Sequence, residues 1–170
     1  MKRIITEAFR NQFDSTLHMA RVLIHVCPDA VWATSYNEVP FWQQVFHYVY
    51  YVDYWMRTSY DEGEWRTMIF EDVYTTDLYA NSYDGLFISK EKMASYLDVI
   101  QQKTTRIFDE LTDDRLGESV FGNDPQFTYA DVITGQIRHI MYNIGYLNGI
   151  LREQNLPESD WYSYNEPEGS

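Results

Sequence analysis

The chain has 170 residues, 45 % of them hydrophobic and 17 % aromatic, with only 5 Pro and 8 Gly. That length holds one domain with a full core, and so few turn formers lean toward helices rather than a many-stranded sheet. A net charge of −13 argues against nucleic acid or an anionic membrane as a partner, since both ask for a basic footprint.

At the N-terminus, Met1-Lys2-Arg3 is followed by Glu7, Arg10, Asn11 and Gln12, where a signal peptide needs an apolar run. No apolar stretch approaches the roughly eighteen residues that mark a membrane span. The single cysteine, Cys27, leaves no internal disulfide and fits a reducing compartment. The expected location is therefore the cytoplasm.

Four helical segments are predicted. The first runs from about Lys2 to Val26, with Ile5, Phe9, Phe13, Leu17, Ala20, Ile24 and Cys27 on one face. Cys27-Pro28 ends it, because a residue before proline is pushed out of the α region. His18 and His25 on this helix lie roughly 10 Å apart along the axis, too far to share one ion, so both are expected at the rim. The second segment opens near Pro40, which suits a first helical turn, and continues to about Thr58. It is apolar or aromatic nearly all round, so it is expected to be buried on most sides. Its one histidine, His47, shares a face with Gln44, Tyr51 and Tyr54.

Ser59 to Ile88 is too long for a tight antiparallel turn and can cross over, so that helices two and three run parallel. Its many aromatics, among them Tyr60, Trp65, Phe70 and Phe87, suggest an ordered cover rather than a linker. A short strand or helix over Trp65 to Val73 would fit it. The third helix starts after Ser89, a plausible N-cap, and carries Met93, Tyr96, Leu97, Ile100, Thr104, Ile107 and Leu111 on its apolar side.

The fourth helix opens at Thr128-Tyr129-Ala130-Asp131, a threonine N-cap followed by an acid, and reaches about Asn155. Ile133, Ile137, Ile140, Ile144, Leu147 and Leu151 form an unbroken stripe with helical spacing. Beside it runs a polar row of Gln136, His139, Asn143 and Tyr146, a placement from which helical bundles build internal sites. Gly145 and Gly149 each cost about 1 kcal/mol relative to Ala in a helix interior. A neighbouring helix or a twin subunit is expected to approach closely there, and these glycines, the aromatic excess and the resemblance described below together make a homodimer the expectation. One domain spans residues 1–165, and 166–170 is a frayed acidic tail.

No Gly-rich phosphate loop, Gly-x-Ser-x-Gly elbow, His-Glu-x-x-His pair or Glu-x-x-His spacing occurs. What remains is His47 and His139, each mid-helix, which would face each other if their helices are neighbours. The bland alternative is two core histidines hydrogen-bonded to tyrosines.

At these residues the chain resembles the DinB-like family of four-helix proteins. The likeness lies in the break from Cys27-Pro28-Asp29 to Trp32, and in the aromatic helix around Val45-Phe46-His47-Tyr48. It extends to the crossover, to Leu111-Thr112-Asp113-Asp114, and above all to His139 through Asn148-Gly149 with Leu151-Arg152-Glu153 and Pro157-Glu158-Ser159-Asp160-Trp161. The resemblance implies an all-α four-helix bundle with a long crossover between helices two and three. It also implies a divalent ion held by one histidine of helix two and two of helix four, with thiol-dependent transferases among the relatives. Carried over, His47 matches the helix-two ligand, whereas Asn143 and Leu147 stand at the other two ligand positions. His139 falls one turn upstream.

Two expectations follow. One is a small-molecule-binding bundle with a degenerate metal site, lined by His47, Tyr51, His139, Asn143 and Tyr146, with Tyr51 and Tyr146 on the substrate. The other is a divalent-metal enzyme, a thiol transferase or hydrolase, in which His47, His139 and Asn143 hold Zn²⁺ or Ni²⁺.

Overall fold

A computed structural model describes residues 3–57, 86–120 and 127–162. The described chain is mostly helical: α1 spans Ile4–Val26, α2 Asp29–Trp32, α3 Phe41–Trp55, α4 Lys90–Glu110 and α5 Tyr129–Glu153, with a 3-10 turn at Asp113–Gly117. One feature departs from an all-α fold. Ser35–Tyr36 and Val39–Pro40 pair as a minimal antiparallel hairpin, turned by Asn37 (φ 49°) and Glu38 (φ 69°). Two positive φ values suit the strand twist, but a Glu in that conformation has no sequence signature.

The long helices begin and end for local reasons. Ser89 Oγ accepts from the Lys92 N–H at 3.3 Å and caps α4. At α5, Thr128 Oγ1 accepts from the Asp131 N–H (3.2 Å) while Asp131 accepts from the Thr128 N–H (3.0 Å), a reciprocal box. Asn155 takes a left-handed φ of 56° and lets the Leu156 N–H reach back to the Leu151 carbonyl (3.0 Å), closing the helix. The N-terminal end of α1 is capped from afar. Asp113 accepts from both the N–H (2.8 Å) and the hydroxyl (2.9 Å) of Thr6. Arg3 in turn donates to the Phe108 and Asp109 carbonyls at the end of α4, each at 2.7 Å.

Contacts set the helix directions. Arg10 meets Asp109, and Lys90 donates to the Cys27 carbonyl, so α1 and α4 are antiparallel. Trp42 packs on Phe87 and Asp53 on Lys103, so α3 and α4 are parallel, as a long crossover requires. Tyr146 meets Asn37, His139 meets His47, and Phe127 stacks on Trp55, so α5 runs against α3.

The core gathers Phe13, Leu17, Leu23, Trp32, Phe41, Phe46, Tyr96, Phe108, Ile140, Ile144, Leu147 and Leu151. Ile133 joins the expected α5 stripe at 1 % exposure while Ile137 is only partly buried. On α1 the expected face fails in its first turn. Ile5 is 55 % exposed, because the turn is anchored by Thr6 on Asp113 rather than by its apolar side chains. The tail is clasped as far as Ser159, which is 3 % exposed, exchanges two hydrogen bonds with the Asn148 amide and donates to the Met19 carbonyl. No described helix is long and apolar enough to cross a membrane. The expected cover over 58–85, its Trp65 to Val73 piece included, and the frayed tail 166–170 lie outside the described residues.

Candidate functional site

Antiparallel α3 and α5 bring the two mid-helix histidines together. The His47 and His139 ring centroids are 5.0 Å apart, edge to face at 77°. Tyr51, one turn beyond His47, closes a triangle, 4.9 Å from His47 and 5.5 Å from His139. All three rings are half-buried. Burial, and after it the charge of His47, push His139 down from 6.5 to about 4. Its imidazole is therefore neutral at pH 7, able to accept a hydrogen bond or to ligate.

The rest of the polar row behaves less uniformly. Asn143 is buried, but its Nδ2 donates to the His139 carbonyl at 2.8 Å, a bond back onto its own helix. Leu147 is fully buried in the core. Tyr146 is 37 % exposed and its hydroxyl accepts from Asn37 at 2.9 Å. It lines a surface hollow with Tyr36, Gly149 and Glu153 instead of the imidazole pair. The expected lining is thus corrected. A tyrosine seven positions beyond His139 is roughly 10 Å further along α5, and the hairpin holds it there.

The antiparallel register places Gln43 and Asn143 one turn to one side of the imidazoles, and Tyr51 and Gln136 one turn to the other. Gln43 is 1 % exposed, and neither atom of its amide has a hydrogen-bond partner among the described residues. Gln136, 7 % exposed, has no partner for Oε1. A buried polar atom left so costs about 1–3 kcal/mol. The Tyr48 hydroxyl, fully buried and also without a partner, is pushed up by burial and stays protonated. Gln136 was expected only as a member of the row, and Gln43 was not singled out. Its signal is a glutamine one turn before His47 in a segment that is otherwise largely apolar or aromatic.

Among the described residues no group of three His, Cys, Asp or Glu side chains could hold a metal. Catalytic zinc typically takes three protein ligands. Two imidazoles and the weakly ligating Asn143 amide oxygen fall short of that set, and Leu147, in the core, has no donor atom.

Other titratable groups are accounted for elsewhere. His18 is half-buried with its ring 4.3 Å from that of Tyr162, and His25 is exposed, as the rim assignment requires. Cys27 is fully buried and desolvation pushes its thiol up to about 12, so it is no nucleophile. Asp53 turns away from the imidazoles toward α4. It accepts from Tyr96 (2.8 Å) and from Lys103 (2.7 Å), with Lys103 also on its carbonyl at 2.6 Å. Burial holds the Lys103 ammonium below its usual range, and the Asp53 bonds offset only part of that. Nothing in the polar run Gln101-Gln102-Lys103 marked this lysine, because its partner comes from another helix. No protein family, curated protein or solved structure matches the chain.

Proposed function

We propose that the chain is a DinB-like four-helix bundle that binds a small, uncharged, hydrogen-bonding molecule between α3 and α5, at a degenerate metal site. The observation that supports it is the pair of buried glutamine amides flanking His47 and His139 with three polar atoms unmatched. A ligand carrying both donors and acceptors would offset their desolvation, which together amounts to about 3–9 kcal/mol. A cation is disfavoured there, since the same surroundings already hold His139 unprotonated.

The contact between His47 and His139 supports a second reading, a divalent-metal enzyme of thiol-transferase or hydrolase type. One measurement separates the two. Metal-stripped protein is titrated with Zn²⁺ and with Ni²⁺ beside a His47→Ala variant, recording bound metal and melting temperature. The binding reading expects less than stoichiometric metal and no metal-dependent stabilisation in either protein. Stoichiometric metal that raises the melting temperature, both lost in His47→Ala, overturns it in favour of the enzyme. Uncharged heteroaromatic amides, nicotinamide first, are then followed through the side-chain amide resonances of Gln43 and Gln136. If no member of the panel moves them, the small-molecule reading fails as well.

A further inference from the structure

We propose that the surface hollow between the hairpin and the C-terminal half of α5 is a recognition site for a small organic cation. It encloses about 390 Å³ and is lined by Tyr36, Asn37, Gly145, Tyr146, Gly149 and Glu153. This site is separate from the imidazole pair and does not rest on the function proposed above.

Three features of the hollow agree on one ligand chemistry. First, its two aromatic walls are fixed. The hairpin, turned at Asn37 and Glu38, is tied to α5 by two side-chain bonds. There the Asn37 amide donates to the Tyr146 hydroxyl (2.9 Å) and the Gln154 amide donates to the Tyr36 hydroxyl (3.0 Å). Each phenol is thereby oriented before any ligand arrives, and aromatic faces attract cations through the ring quadrupole. Second, Glu153 makes no ion pair among the described residues, while its neighbour Arg152 is held by Glu158 at 2.6 Å. The hollow therefore carries one uncompensated carboxylate on a chain of net charge −13, which concentrates cations at its surface.

Third, the floor is glycine without a packing reason. A Cβ on Gly145 or Gly149 would meet nothing within 4 Å, so no helix of the described chain approaches there, and of the two expected neighbours the helix is ruled out. Helix-interior glycine is costly relative to Ala. Here the missing side chains make the depth of the hollow. Two rings, one carboxylate and a bare floor suit an alkylammonium head group.

Choline is the probe, with its neutral isostere 3,3-dimethyl-1-butanol as control, each titrated into the ¹⁵N-labelled full chain. Choline is expected to shift the Gly145, Gly149 and Tyr36 amides with a dissociation constant on the order of 1 mM, as an exposed cation site would give, and the isostere to leave them in place. Glu153→Gln is expected to weaken choline roughly five-fold, the worth of one exposed ionic contact. Gly149→Leu, which fills the floor, abolishes the shifts while helical circular dichroism stays unchanged. His47→Ala leaves choline binding intact, which distinguishes this site from the imidazole pair. Equal shifts from the isostere, or unaltered choline binding in both hollow variants, overturns the proposal. A dimeric mass by light scattering at tens of micromolar, with these amides insensitive to choline, also overturns it by seating a second copy of the chain in the hollow.

Discussion

Acid should cost this fold stability through His139. Its imidazole sits at about 4 against an ordinary 6.5, because burial strips water from the imidazolium and His47 adds like-charge repulsion. Between those values the unfolded chain binds the proton and the folded chain does not. Stability therefore rises with pH across this window and is lost as pH falls from about 6.5 toward 4. Linkage with these two values gives about 1.2 kcal/mol lost between pH 7 and pH 5.5. The ring is only half-buried, so solvent screening brings the expected loss to about 0.5–1 kcal/mol. Urea unfolding of the native chain and of His139→Gln, at pH 7.5, 6.5 and 5.5, isolates this contribution from the carboxylates common to both. The native-minus-variant stability should fall by that amount toward pH 5.5, with equal urea slopes. The His139 ring-proton resonance should titrate below about pH 5.5, allowing for its coupling to His47. Parallel stability profiles, or a ring midpoint near 6.5, would refute the argument that burial holds this imidazole neutral.

Two further outcomes follow from packing. Lys103→Met removes the ammonium from the Asp53 carboxylate, which is 1 % exposed and keeps the Tyr96 hydroxyl, and should cost about 3–5 kcal/mol in chemical denaturation. The double variant Asp53→Leu/Lys103→Met should recover most of it, and a double variant as unstable as the single one would show that the loss does not come from the buried carboxylate losing its counter-charge. Gly149→Ala meets open space and should stabilise the chain by about 0.5–1 kcal/mol from helix propensity alone. A loss of stability there would mean that something packs against α5 after all.

Much of the architecture was legible because it is written in local chemistry. Ser89 and Thr128 cap the helices they were expected to cap, since an N-cap depends on one side chain and the next turn of backbone. Pro28 ends the first helix through a steric clash that needs no tertiary partner. The α5 stripe points inward because helical spacing puts apolar side chains on one face. The failures share a cause too. Ile5 was expected inside, yet the cap that anchors its turn, Asp113, lies more than a hundred positions along the chain. The hairpin at Asn37 and Glu38 was not expected, because a positive φ at Glu38 is no preference of that residue and the turn is tied to α5 by the Asn37 bond to Tyr146.

The sequence by itself determined the four long helices to within a few residues, though not the short helix Asp29–Trp32 or the end of α3 at Trp55 rather than Thr58, and that two histidines sit in the middle of two of them. Hydrophobic period, capping residues and proline act within a few residues, so one chain read in order is enough to find them. Only the tertiary structure decided that His47 and His139 touch, that Tyr146 belongs to another hollow, and that Lys103 is buried on Asp53. Those outcomes depend on the direction and rotation of packed helices. That rotation minimises the burial cost of the whole core, and no single stretch of sequence encodes it.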